Sequence, residues 1–324
     1  MYRILLILAG ILGLSNAGHP LYRDKIASPK SESADYRLPN NLTVSLYQLV
    51  VEPDFVTDTF NGSVSVSFTT WTTTDSIVLH THELNITTSS IDLLDVNGNV
   101  INGVASTQFS NDDRHFYTIT FFEPLLGGNS YTISIGYFTG ILNLDMYGFY
   151  LARYVDEEGN TRKMATTQFQ ATAARRAFPC FDEPALKARF DISIIRTGEY
   201  HSLANTPQVS TQEISPGRFL DVFERSVIMS TYLVAFVVSD YTYVGRDIHR
   251  VFGRPQDIAR NRGDYALDIG IDIFDGIEEW VGIPYSLPKI DQIAIPDDYF
   301  DAGAMENWGL VTYRLVHTSC LWMD

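Results

Sequence analysis

Ser63-Val64-Ser65-Val66-Ser67-Phe68 alternates polar and apolar residues without a break. Successive side chains on a strand point to opposite faces, so Val64, Val66 and Phe68 form a core-facing row and the serines a solvent-facing one. Runs of the same kind recur at 42–51, 77–80, 116–121, 131–138, 188–195 and 231–239. Turn clusters such as Asn97-Gly98-Asn99 and Gly127-Gly128-Asn129 separate them. From Leu42 to about Asp240 this pattern predicts a mainly β chain, an all-β sandwich or saddle of about 200 residues.

After Asp240 the character changes. A helix is expected over 264–281, opened by Gly263-Asp264, with Leu267, Ile271, Phe274 and Trp280 on one face. The alternation over 267–273 suits a strand equally well. Pro284 and Pro288 then break the run, and two short segments follow around 290–295 and 309–313. These read as the opening of a mixed α/β domain.

The 324 residues carry a net charge of −16, which argues against nucleic acid or anionic lipid as the main partner. Two cysteines make neither a disulfide framework nor a cysteine-based zinc module. At the N-terminus, Met1-Tyr2-Arg3, the apolar run Ile4–Leu14 and Ser15-Asn16-Ala17 describe a cleavable secretory signal over 1–17. Spanning a bilayer takes about 20 apolar residues, more than this run supplies. Residues 18–37 read as a polar leader before a β domain at 38–240. Three sequons, at Asn41, Asn61 and Asn85, agree with a secreted or cell-surface address, although each asparagine also suits a turn.

Two stretches carry chemistry. In Gly303-Ala304-Met305-Glu306-Asn307 the adjacent small residues let a ligand backbone approach, so an extended peptide can lie alongside as an added strand. The Glu306 carboxylate is then available to a cation, of which a free peptide α-amine is the obvious candidate. A tight turn with a solvated glutamate is the plainer reading. In the second stretch, Thr167-Gln168-Phe169-Gln170 as extended chain puts Gln168 and Gln170 on one face, two amides suited to a peptide terminus. Arg175, Arg176, Asp182 and Glu183 read as a structural ion-pair network, and Cys180 as a buried free thiol.

Together, Thr167–Pro184, Tyr285-Ser286-Leu287-Pro288-Lys289 and the Asp301–Leu310 stretch resemble the aminopeptidase N family of zinc metallopeptidases, over roughly residues 35–314. The resemblance implies an N-terminal β domain followed by a thermolysin-like α/β catalytic domain, begun here at 241–314. It implies that Gly303, Ala304, Met305, Glu306 and Asn307 form the exopeptidase signature. Glu306 would anchor the substrate amine with help from Gln170, Gln168 would stand near the pocket for the first side chain, and backbone around Ala304 would hold the peptide.

That family's chemistry needs His-Glu-x-x-His on a helix, two histidines on one side holding zinc and the glutamate as general base. The seven histidines are His19, His80, His82, His115, His201, His249 and His317, and no two are four apart. His82-Glu83 continues Leu-Asn-Ile, so the second ligand is missing; His80 and His82 are expected on the polar face of a strand. Zinc is therefore expected in the complete family member and not in this chain. The stretch 315–324 matches nothing usual after Arg314 and reads as an aberrant tail, which makes a Cys320–Cys180 bridge improbable. With half a catalytic domain, strand 290–295 is expected to be left uncovered. The leading expectation is the N-terminal part of a zinc aminopeptidase, acting on peptide N-termini and inactive in this form. The alternative is a truncated secreted glycoprotein serving as a non-catalytic binding module or decoy. Any membrane attachment would be through a C-terminal anchor absent from these residues.

Overall fold

The computed structural model describes residues 35–315. The expected signal peptide, most of the polar leader, Cys320 and the tail beyond Leu315 lie outside the described residues.

The alternating stretch lies in strand Thr59–Thr70, with Val64, Val66 and Phe68 almost fully buried. On the opposite face the hydroxyls pair across to strand Ser130–Ile141: Ser65 with Ser134 at 3.1 Å, Ser67 with Thr132 at 2.9 Å and Thr69 with Ser130 at 2.7 Å. Cross-strand pairs of this kind fix register, because a one-residue slip would turn the valines to solvent. These two strands belong to a nine-stranded sheet. Its order runs Gln208–Ser215, Arg218–Phe223, Arg189–Thr197, Leu42–Asp54, Thr59–Thr70, Ser130–Ile141, Ile91–Leu94 and Val100–Asn102, with Asn85–Ile86 also pairing on Ser130–Ile141. A three-stranded sheet, Thr74–His80, Phe116–Leu125 and Val104–Phe109, shares its core: Ile77, Leu79, Tyr117 and Ile119 pack with Val44, Leu49, Val64 and Ile133. The chain is mainly β, as expected.

A four-stranded sheet forms the next layer, in the order Gly148–Val155, Thr161–Gln168, Phe236–Ser239, His201–Ala204. Both of its faces are covered. Phe149, Leu151, Ala165, Phe236 and Val238 join the core of the β sandwich, whereas Ala152, Tyr154, Met164, Ala235 and Val237 face the other way into a second core. Of the expected strand 231–239 only Phe236–Ser239 forms; Thr231–Leu233 is a 3₁₀ turn. Side-chain bonds from Ser230 to the Pro184 carbonyl and from Thr231 to Asp182 hold that segment out of the sheet.

The second core is closed by a five-stranded sheet, ordered Thr242–Arg246, His249–Gly253, Ile290–Ile295, Leu310–Arg314 and Ala304–Met305. Strands His249–Gly253 and Ile290–Ile295 are parallel, and helix Asp264–Val281 runs in the connection between them, a βαβ crossover. Gly282, at φ 72°, ends the helix in the left-handed region, its N–H bonded to the Glu278 carbonyl. The expected helix is therefore present, followed by the expected strands.

Two expectations are corrected here. Ile290–Ile295 is not left uncovered: Ile293 and Ile295 are buried against the four-stranded sheet and Ala294 beneath the helix. Trp280 is not on the core face but 83% exposed. The helix is about 27 Å long against about 20 Å for the strand, so Ala266 and Leu267, with Ile271 beside them, lie over the sheet, Phe274 meets His249 at a strand end, and Trp280 runs past it.

Candidate functional site

The signature 303–307 forms the rim of the five-stranded sheet. Gly303, at φ 77°, turns the chain into the edge strand Ala304–Met305, which pairs antiparallel with Leu310–Arg314 through Ala304–Tyr313 and Met305–Thr312. Alternation sends Met305 into the second core and leaves Glu306 exposed. The Glu306 carboxylate has no side-chain partner among the described residues. Its charge lies close enough to Tyr313 to add to the burial that pushes that phenol up to about 12. Asn307 points inward, its amide 3.5 Å from the Met305 carbonyl and 3.4 Å from the Thr312 hydroxyl, and its carbonyl accepts the Leu310 N–H. Asn307 thus shapes the turn that presents Glu306.

Gln168 ends strand Thr161–Gln168. Its cross-strand partner is Gly148, and Tyr150–Thr166 lies two pairs along, the next pair on the same face. Alternation places Gln168, Thr166 and Tyr150 on the same face as Ala152 and Met164, the face turned toward the five-stranded sheet. The Gln168 Oε1 and Thr166 Oγ1 atoms are both buried there without a hydrogen-bond partner among the described residues. A buried polar atom left unpaired costs about 1–3 kcal/mol. Gln170 does not continue the strand. The chain turns at Phe169, whose carbonyl accepts the Ala173 N–H, and Gln170 is exposed in that turn. The shared face expected for Gln168 and Gln170 is therefore not formed by strand alternation.

The charged residues of 175–183 are paired. Arg175 binds Asp182 at 2.9 Å, Arg176 binds Glu83 and Asp145, and Glu183 holds Arg37 and the Leu38 N–H. His80 is a correction: it is buried, not on a polar face, and its Nδ1 accepts the Asp182 N–H. His82 lies beyond the strand with its ring stacked on His115. Cys180 is buried and free, with burial pushing its thiol up.

Three residues given no role by sequence reasoning hold the rim in place. The Lys289 ammonium spends its three protons on the Ala204 carbonyl, the Gly309 carbonyl and Asp291, all within 2.7 Å. Burial pulls its pKa down to about 8, with Asp291 opposing the fall. Asn205 donates to the Leu233 and Trp308 carbonyls, and Tyr150 to the Tyr299 carbonyl. Lys289 stood in a quoted motif; Asn205 and Tyr150 gave no local signal.

The comparisons join this architecture to known proteins. Residues 43–233 match the Peptidase M1 N-terminal domain, and residues 265–322 the Peptidase family M1 domain. The chain belongs to peptidase family M1. It is 38% identical over 299 residues to endoplasmic reticulum aminopeptidase 1 of Rattus norvegicus, covering 89% of this chain and 31% of that protein. Aminopeptidase N of Homo sapiens is 39% identical over 301 residues, with 86% and 30% covered, and glutamyl aminopeptidase of Bos taurus 37% over 289, with 86% and 29% covered. The chain thus spans about a third of the length of these M1 relatives. M1 members are zinc metallopeptidases. Among the described residues, however, no group of three His, Cys, Asp or Glu side chains is placed to hold a metal ion. The donor set present here does not fit zinc. No helix among the described residues is long and apolar enough to cross a membrane.

Proposed function

We propose that this chain carries the part of an M1 aminopeptidase that recognises the free N-terminus of a peptide. The observations that support this best are an exposed Glu306 just past the edge strand Ala304–Met305 and a buried Gln168 Oε1 on the face of the four-stranded sheet turned toward the five-stranded one, neither with a side-chain partner among the described residues. A protonated α-amine brings donors that satisfy both a carboxylate and an amide oxygen, and a charge-assisted bond to Glu306 rewards a free amine over a blocked one. The free edge of Ala304–Met305 suits an extended peptide, which adds itself as a further strand. In this reading Gln170, exposed in the turn after Phe169, would serve as a second amide.

Hydrolysis in this reading belongs to the longer protein, whose zinc ligands are not among the residues described here. The product would enter the secretory pathway for a secreted or cell-surface life. Asn85 is exposed, which suits a glycan, whereas Asn41 and Asn61 are half-buried and the Asn61 amide donates to Glu52 at 3.4 Å.

Hydrogen exchange of the full chain, with and without millimolar Ala-Phe-amide, tests the recognition. Protection of residues 300–314 by the free-amine peptide, absent with its N-acetyl form and in Glu306→Gln, is expected. Equal protection by both peptides would overturn the assignment of Glu306.

A further inference from the structure

Glu306 and Gln168 come from different sheets, so their separation depends on what fastens residues 299–309 to the four-stranded sheet. Before the signature, the buried Tyr150 hydroxyl donates to the Tyr299 carbonyl at 2.8 Å. After it, Asn205 donates to the Trp308 carbonyl at 2.9 Å, and Lys289 ties the Gly309 carbonyl to that of Ala204.

The far ends of two of these bonds lead to Gln168. Tyr150 pairs across the strands with Thr166, two pairs from Gly148–Gln168 and on the same face as Gln168. Asn205 also takes the Ala235 N–H on its Oδ1 and gives a second amide proton to the Leu233 carbonyl. The next residue, Phe236, donates its N–H to the Thr167 hydroxyl, beside Gln168. Asn205 is 1% exposed, with its amide nitrogen and oxygen both bonded, so it cannot turn without breaking these links. Apolar packing alone between two sheets would allow a small slide; directional bonds at both ends of a loop do not.

We propose that Tyr150, Asn205 and Lys289 are positioning residues that anchor both ends of the 299–309 loop to the β domain and so set where Glu306 stands relative to Gln168. The proposal rests on the reading of Glu306 as amine anchor. The three side chains touch no substrate; they act through the backbone of the signature.

Tyr154 supplies a matched control. It stands on the same strand and face as Tyr150, but its hydroxyl bonds Asp240 and does not reach the loop. In the full chain, Tyr150→Phe is expected to speed exchange in peptides spanning 299–314 about tenfold, the equivalent of one lost hydrogen bond. Tyr154→Phe should leave them unchanged. Asn205→Asp, which keeps the acceptor for Ala235 and loses both donors, should act as Tyr150→Phe does, and both should weaken protection by Ala-Phe-amide. Unchanged loop exchange in Tyr150→Phe, an equal rise in Tyr154→Phe, or a rise spread evenly over Ile290–Ile295 would overturn the anchoring. Absence of peptide protection in the unaltered chain would instead overturn the amine reading, and with it the positional role, whatever the loop exchange shows.

Discussion

The main-chain oxygen of Asn205 lies 2.1 Å from where a β-carbon on Gly309 would stand. The β domain and the signature rim therefore meet backbone to backbone, and the Asn205 side chain bonds the carbonyl of the preceding residue, Trp308. No other side chain fits at 309, since its φ of +83° also lies in the left-handed region.

Gly309→Ala should accordingly destabilise the chain by at least about 2 kcal/mol, combining left-handed strain with displacement of fixed backbone. Gly276→Ala is the counterpart: it is exposed on helix Asp264–Val281 with nothing within 4 Å of its added carbon. That change should stabilise by about 0.5–1 kcal/mol. Urea midpoints of the two variants, moving in opposite directions, would check the pair.

Stability should fall as pH drops below neutrality, through His80. Burial, with the Arg175 charge beside it, pulls its pKa from 6.5 to about 3 in the folded chain. Between those values the unfolded chain binds a proton that the folded chain refuses, so unfolding free energy rises with pH across this window. From pH 7 to pH 5 the loss is on the order of 2 kcal/mol. His82, His115 and His249 are shifted in the same direction, also mainly by burial. Urea titrations at pH 7 and pH 5 should show the loss reduced in His80→Gln; an identical loss would assign it elsewhere.

The purified 324-residue chain should hold no stoichiometric zinc after dialysis and release no amine from an alanyl anilide. No two of its seven histidines are four apart, so the helical zinc pair cannot form. One zinc per chain with turnover would contradict this.

Much of the architecture was legible because it rests on local period. The alternation at 63–68 and the strand over 290–295 stand where their patterns put them, and over 264–281 the helix formed, not the strand that 267–273 suited equally well. Trp280 was misplaced because periodicity tells which residues share a helix face, not how far the sheet beneath extends. Gln170 was misplaced because the turn at Phe169 depends on core burial of that ring, which the polar residues around it do not announce.

By itself the sequence determined the β sandwich, the opening of a mixed α/β part after it and the signature carrying Glu306. Each follows from residues within a few positions of one another, where strand and helix geometry leave few choices. Only the tertiary structure decided that Gln168 and Thr166 would be left with unpaired oxygens on one face. It alone brought Asn205 to Trp308, 103 residues away, and Lys289 to Ala204, 85 residues away. Contacts at such separations depend on how whole sheets stack, and no local preference of an asparagine or a lysine encodes which carbonyl it will meet.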